Sequence, residues 1–354
     1  MDLSIVWNVG PEVIPGFDRP NKYALFFIGG IILGYYLIKR IYAKEKVDIK
    51  ELDNLLMWVV VSTIVGARLG HVFFYDWAYY KENLGEIIAV WKGGLASHGA
   101  AIGIILGVLL YKRFSSKMPV LWTLDRAVIA IAIAGCFIRV GNLMNSEIKG
   151  KPSDRAMSIV FMKNYEKKLH GYFPDFELTY KATGEDSTVN GIAYPEYEIT
   201  VKLPEKNNQA ITQYIVNESN NGRSDTYEIL AMNNSKLSED LIQEDQFTIY
   251  MYLIPRMPTQ IYEAIGYLVI FLGLFFLYWK TNAGRIQGFI FGAFLIGIFG
   301  FRFFIEFLKE GQAERDAETM INTGQMLSIP FVLIGLFFVL RKIKELKKGY
   351  PEEG

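Results

Sequence analysis

The chain has 354 residues, of which 51% are apolar, 15% aromatic and only 21% charged, with 37 Lys+Arg balanced by 37 Asp+Glu. A soluble domain usually carries about a quarter charged residues and a net charge, so this composition, with 25 Phe and 21 Tyr, points to lipid as part of the solvent. The zero balance leaves no basic excess for a nucleic-acid duplex, and a single cysteine, Cys136, excludes an internal disulfide or a thiolate-ligated cluster.

From the N-terminus, Met1 to Pro20 include the Pro/Gly-rich stretch VGPEVIPGFDRP, which reads as an ordered surface loop. Crossing the bilayer core of about 30 Å takes roughly 20 mostly apolar helical residues. Seven such stretches follow, at about 22–39, 53–75, 93–111, 120–144, 259–279, 286–308 and 325–341. The first lacks a basic leader and a small-residue cleavage site, so it is expected to be a span and not a cleaved signal. Between the fourth and fifth lies a polar insert, 148–255. Its runs YEITVKL, ITQYIVN, TYEIL and QFTIYMYL alternate with period two, which predicts short half-buried strands, with a helical contribution around 156–170.

Lys39, Arg40, Lys44, Lys46, Lys50, Lys112, Arg113, Lys117, Lys280, Arg285, Arg341, Lys342, Lys344, Lys347 and Lys348 fall on one set of short loops. Only Arg19, Lys22, Lys81, Lys92, Lys309 and Arg315 fall on the other. Basic loops stay inside. The expected fold is therefore an all-α polytopic membrane protein of seven transmembrane helices, N-terminus out and C-terminus in, with a β-rich extracytoplasmic insert between helices four and five. The expected parts are a membrane domain of 1–147 and 256–345, a head of 148–255 and a cytoplasmic tail of 346–354.

Ionisable groups in hydrocarbon are costly and mark function or a buried pair. Tyr23, Arg68, His98, Arg139, Asn142, Asn145, Glu147, Gln260, Glu263, Arg302 and Glu306 all map to the same outer half of their helices. Arg139, Asn142 and Asn145 recur every three residues and share a face; Arg302 and Glu306 are four apart and can pair. Arginines with amide and phenol donors suit an anion, because guanidinium binds phosphate bidentately and stays charged. Histidine titrates near neutrality and suits removal of a proton from a nucleophile. No HExxH, no GxSxG and no paired Asp/Glu motif is present, which weakens metalloprotease, hydrolase and glycosidase readings; neither a metal nor an organic cofactor is expected. Asp125 and Arg126 read as an anchor of helix four at its inner end; His71, His170 and Cys136 read as incidental.

GCFIRVGNLMNSEIKG (135–150) resembles the signature of bacterial prolipoprotein diacylglyceryl transferases, Gly-Arg-x-Gly-Asn-x-x-Asn-x-Glu. GARLGHVFFYD (66–76), GGLASHGAAIG (93–103), PRMPTQIYEA (255–264), GFIFGAFLIGIFGFRFFIEFLKE (288–310) and TGQMLSIP (323–330) resemble further blocks of that family in the same order. The resemblance covers all seven helices and leaves out most of the insert. It departs at Ala100, Ile138, Met257 and Ile298, and Met257 replaces a common His, which argues against an essential imidazole there.

The resemblance implies transfer of the diacylglyceryl group of phosphatidylglycerol to the lipobox cysteine of a preprolipoprotein signal peptide, with release of glycerol 1-phosphate. It implies functional roles for Tyr23, His98, Arg139, Asn142, Glu147, Arg302 and Glu306; with Arg68, Asn145 and Glu263 added from their positions, the expected catalytic residues are His98, Arg139 and Arg302, and the others are expected to bind or orient the substrate. His98 is either the base for the thiol or a donor to the leaving phosphate. It further implies a bacterial inner-membrane protein, expected to be a monomer, with the site towards the outer leaflet. The competing readings are a membrane lipid-binding protein or transporter using the same arginines, and a structural subunit whose insert binds a partner.

Overall fold

The computed structural model describes residues 5–14, 17–310 and 321–347; Arg315 and most of the expected tail lie outside them. In chain order the helices are α1 Lys22–Lys44, α2 Ile49–Phe74, the single turn α3 Trp77–Tyr80, α4 Ser97–Phe114, α5 Val120–Met144, α6 Lys163–Leu169, α7 Asn208–Asn220, α8 Thr259–Lys280, α9 Phe289–Ile305 and α10 Thr323–Lys347. The strands are β1 Ile5–Trp7, β2 Glu12–Ile14, β3 Phe17–Asn21, β4 Ile159–Phe161, β5 Glu177–Val189, β6 Ile192–Lys202, β7 Ile229–Met232 and β8 Gln246–Leu253.

Among the described residues six helices are long and apolar enough to cross a membrane: α1, α2, α5, α8, α9 with the 3-10 turn that extends it to Leu308, and α10. Their outward residues include Ile28, Ile32, Val269, Leu272, Leu333 and Phe337, all exposed. Such surface is stable facing lipid and would be costly in water. The chain is therefore a multi-pass membrane protein with a small β-sheet insert. The expected span at 93–111 corresponds to α4, which has 18 residues and begins only at Ser97. Ser97–His98 at one end and Lys112–Arg113 at the other shorten its apolar stretch.

The chain divides into two compact units. The first comprises Met1–Gly29, Gly135–Tyr267 and Phe299–Pro330, and its insert is a four-stranded antiparallel sheet of order β5-β6-β8-β7. β8 buries alternate residues, Phe247, Ile249, Met251 and Leu253, as its alternating sequence predicts. The segment ITQYIVN, expected as a strand, is instead in α7. Ile211, Tyr214, Ile215 and Glu218 bury one face at helical spacing, and the Asn207 side chain caps the start by accepting from Ala210 N. Of TYEIL only its end is strand, because β7 begins at Ile229. The helical contribution near 156–170 is α6, whose Tyr165 meets Tyr214 through their hydroxyls in the core. The N-terminal stretch is more than a loop: β1 pairs in parallel with β4, Val6 opposite Val160. β2 and β3 form a hairpin. Backbone pairing satisfies donors and acceptors that a surface loop leaves to water.

The second unit comprises Gly30–Ala134, Leu268–Ile298 and Phe331–Gly354. Here α2 and α4 pack backbone to backbone: a Cβ on Gly99 would collide with the Gly66 carbonyl, and one on Gly103 with that of Ser62. Small residues allow this approach, which dispersion rewards in a membrane. Asp125 accepts from the backbone N–H groups of Gly288 (2.6 Å) and Phe291 (2.8 Å) at the start of α9, satisfying donors that a helix N-terminus leaves open. Arg126 grips Glu45 through Nη2 at 2.8 and 2.9 Å.

Candidate active site

The last turns of α5 build the first part of the site. Arg139 Nη1 donates to Asn142 Oδ1 at 3.0 Å, and Asn142 Nδ2 donates to Glu147 Oε1 at 2.9 Å. Asn145 Nδ2 reaches the same carboxylate oxygen at 3.5 Å. Glu147 itself lies between two left-handed residues, Ser146 (φ 54°) and Ile148 (φ 57°). A β-branched residue adopts that conformation only when its surroundings hold it there. The buried start of α8 does so: Gln260 Nε2 donates to the Glu147 carbonyl at 2.7 Å and Thr259 Oγ1 to the Ile148 carbonyl at 3.0 Å.

One turn further along α8, Glu263 is fully buried and faces two cations. Its Oε2 lies 3.5 Å from Arg139 Nε, and its Oε1 lies 3.0 Å from Lys309 Nζ. Lys309 in turn lies 3.2 Å from Glu306 Oε1, and Glu306 Oε1 is 3.5 Å from Arg302 Nε. Asn322 Nδ2 donates to Glu306 Oε2 at 3.3 Å. Gly324 leaves room for this carboxylate, since a Cβ there would sit 2.5 Å from Glu306 Cδ. The result is one chain of polar groups running Glu147, Asn142, Arg139, Glu263, Lys309, Glu306, Arg302. Three cations and three carboxylates balance, so each arginine keeps its charge while a carboxylate fixes its direction. Arg302 is the open end: its side chain is 35% exposed and meets a single carboxylate among the described residues.

Among the described residues, the buried Asn145 Oδ1, Ser146 Oγ and Gln260 Oε1 lack a hydrogen-bond partner, and Arg139 Nε and Glu263 Oε2 have only their mutual ion pair. Unsatisfied buried groups are costly and concentrate where a polar ligand or water completes them. Tyr23, in the first turn of α1, lies against Gly141 of α5, beside this cluster.

A second buried ionic group holds the turn after Glu147. Arg256, fully buried, pairs with Glu228, with Glu310 at 2.8 Å and with Asp225 at 3.0 Å; Lys149 also pairs with Glu228. Burial pushes the Glu228 carboxyl up, against the pull of Arg256 and Lys149. Backbone bonds Gly150 N to Met257 O (3.1 Å) and Lys151 N to Leu308 O (2.9 Å) finish the clamp. The insert, the turn bearing Glu147 and the end of the Arg302–Glu306 segment are thereby tied together.

The two remaining expected residues belong to the second unit. Arg68 is buried and bonds backbone carbonyls: Ile87 (2.8 Å), Glu86 (2.6 Å), Gly93 (2.6 Å) and Gly94 (3.2 Å). It fixes the connection that leads into α4. His98 stands in the first turn of α4; its side chain lies outside those described. Among the described residues no group of three or more His, Cys, Asp or Glu is placed to hold a metal ion.

Sequence reasoning missed Lys309 and Arg256. A signal for Lys309 was present, because 302, 306 and 309 follow helical spacing and share a face. No comparable signal marks Arg256, whose partners come from distant segments.

The family described as prolipoprotein diacylglyceryl transferase matches residues 19–341, a range holding every residue of the cluster. Similar proteins each named phosphatidylglycerol–prolipoprotein diacylglyceryl transferase include one from Porphyromonas gingivalis, 34% identical over 96% of this chain and 95% of its own. One from Tolumonas auensis is 32% identical over 96% and 98%, and one from Bacteroides fragilis 31% over 95% of each. With a match of that extent, the chain belongs to the prolipoprotein diacylglyceryl transferase family.

Proposed function

We infer that this protein transfers the diacylglyceryl group from phosphatidylglycerol to the lipobox cysteine of a preprolipoprotein, the first step of lipoprotein maturation. The observation that carries the reading at residue level is the buried chain from Glu147 to Arg302, with two carboxylate-oriented arginines and polar atoms left unsatisfied around Arg139. The lipid phosphate, bridging Arg139 and Arg302, receives fixed donors where negative charge grows. Asn142 and Tyr23 add neutral donors. The thiolate sulfur attacks the glyceryl carbon, a C–S bond forms, and the C–O bond to phosphate breaks with its electron pair leaving on the phosphate oxygen. Pre-oriented cations stabilise that charge without reorganising. The thiol proton passes to His98, or is lost directly beside the positive field, which lowers a thiol pKa from about 8.5.

In this reading α4 is a seventh span and the N-terminus lies outside, as the distribution of Lys and Arg indicates. The site then faces the outer leaflet of a bacterial inner membrane, with the head above it. Purified protein in phosphatidylglycerol vesicles tests the reaction with a synthetic lipobox peptide. A diacylglyceryl mass increment on the cysteine, matched one to one by glycerol phosphate, is expected. A folded protein that binds the lipid and leaves the peptide unmodified would replace this reading with a lipid-binding one.

A further inference from the structure

In the second unit, the Lys/Arg-rich turns enclose an open cavity of about 710 Å³. It lies where α1 ends, α5 begins and α8 turns into α9. Its cations are Lys44, Arg126, Lys280 and Arg285, and its anion is Glu45. Glu45 is already held bidentately by Arg126 and also accepts from the Tyr278 hydroxyl. The pair cancels, and Lys44, Lys280 and Arg285 remain as net positive charge. Lys280 and Arg285 are exposed and have no ionic partner among the described residues.

The aromatic wall is as specific as the charge. Lys44 Nζ stands 4.2 Å from the centre of the Trp279 ring and 5.0 Å from that of Tyr278. Trp122 forms the other wall, beneath the Arg126 guanidinium at 4.5 Å. The Trp279 ring lines the cavity, while its indole N–H is buried and has no acceptor among the described residues. Three cations without an ionic partner among the described residues, in an open cavity set at the ends of apolar helices and walled by indole rings, fit one ligand chemistry, a phosphate diester at a membrane surface.

We propose that this cavity binds the headgroup of an anionic phospholipid, at a site separate from the Arg139–Arg302 cluster. The phosphate sits between Lys280, Arg285 and Lys44, and the acyl chains run down the apolar surface of α8. The site stabilises the fold and takes no part in the transfer step, so it stands whether or not the transfer reading does.

The experiment uses the full chain in phosphatidylcholine nanodiscs with a rising fraction of phosphatidylserine. Thermal unfolding is followed for the wild type, Lys280→Ala/Arg285→Ala and Arg139→Ala. The wild type and Arg139→Ala are expected to show the same stabilisation. In the double variant the lipid fraction giving half the shift rises about 25-fold, from roughly fivefold for each basic residue near an anionic surface. Transfer activity of the double variant in phosphatidylglycerol vesicles stays at the wild-type level. A shift that survives in the double variant, or disappears in Arg139→Ala, would overturn the proposal. So would a full shift produced by inorganic phosphate in discs of phosphatidylcholine alone, which would make the cavity a site for free anions.

Discussion

Lys309 Nζ lies 3.0 Å from Glu263 Oε1, and both side chains are buried. The pair has meaning only within its neighbours: Glu263 faces Arg139, and Lys309 also holds Glu306, the partner of Arg302. Without the lysine, two carboxylates share a low-dielectric site and each draws its arginine inward. With it, the arginines keep fixed directions towards a common anion.

Replacing Lys309 by Met therefore leaves Glu263 and Glu306 unneutralised. Transfer is expected to fall about a hundredfold, the usual effect of misplacing a reacting group by an ångström. Lys309→Arg keeps the charge and most of the rate, although both variants retain the lipid-binding residues themselves. Steady-state assays of both variants, beside thermal unfolding, check this. A Lys309→Met enzyme of normal rate would show that the arginines need no such alignment.

Arg256 is a structural clamp. Arg256→Ala leaves Glu228 and Lys149 in a broken buried network and is expected to cost about 3–5 kcal/mol of stability. Arg256→Met combined with Glu228→Leu removes both charges and is expected to cost less than the single change. Unfolding midpoints of the three proteins in one detergent decide the matter; a double variant less stable than Arg256→Ala would contradict it.

The insert carries its own pH dependence. Burial alone pushes the Glu196 carboxyl up, but Lys236, Asn233 (2.6 Å) and Thr183 (2.8 Å) outweigh it and hold the group below its ordinary 4.5. A carboxyl whose folded pKa is depressed contributes stability that is present above the ordinary value and lost as pH falls through the folded one. Hydrogen exchange in β6 is expected to accelerate as pH drops below 4.5, after correction for the intrinsic rate, and Glu196→Gln removes that dependence. An identical profile in both proteins would exclude Glu196 as its source.

What the sequence revealed follows from which interactions are local. Arg139 and Asn142 could be read as one surface because three residues make nearly one helical turn, and Arg302 with Glu306 likewise. The misread segment ITQYIVN shows the limit: Tyr214 and Ile215 stand three and four residues after Ile211, a helical period that an alternating reading breaks at Tyr214, and the Asn207 cap starts the helix. β1 was invisible because its partner β4 is more than 150 residues away, and no local pattern encodes a parallel pairing. Lys309 looked like a loop cation; the 3-10 turn Glu306–Leu308 carries it inward to Glu263. The strained turn at Ser146 and Ile148 was hidden by residue types that rarely take a positive φ.

The most direct measurement is the transfer rate of Arg139→Ala beside the wild type, at saturating phosphatidylglycerol, with folding of both verified by their unfolding transitions. Losing a donor oriented at developing phosphate charge is expected to lower the rate by about 100- to 1,000-fold, with Arg139→Lys intermediate because a point charge cannot reproduce the fork. A folded Arg139→Ala protein within a few-fold of the wild-type rate would contradict the assignment of the buried charge chain as the phosphate receptor.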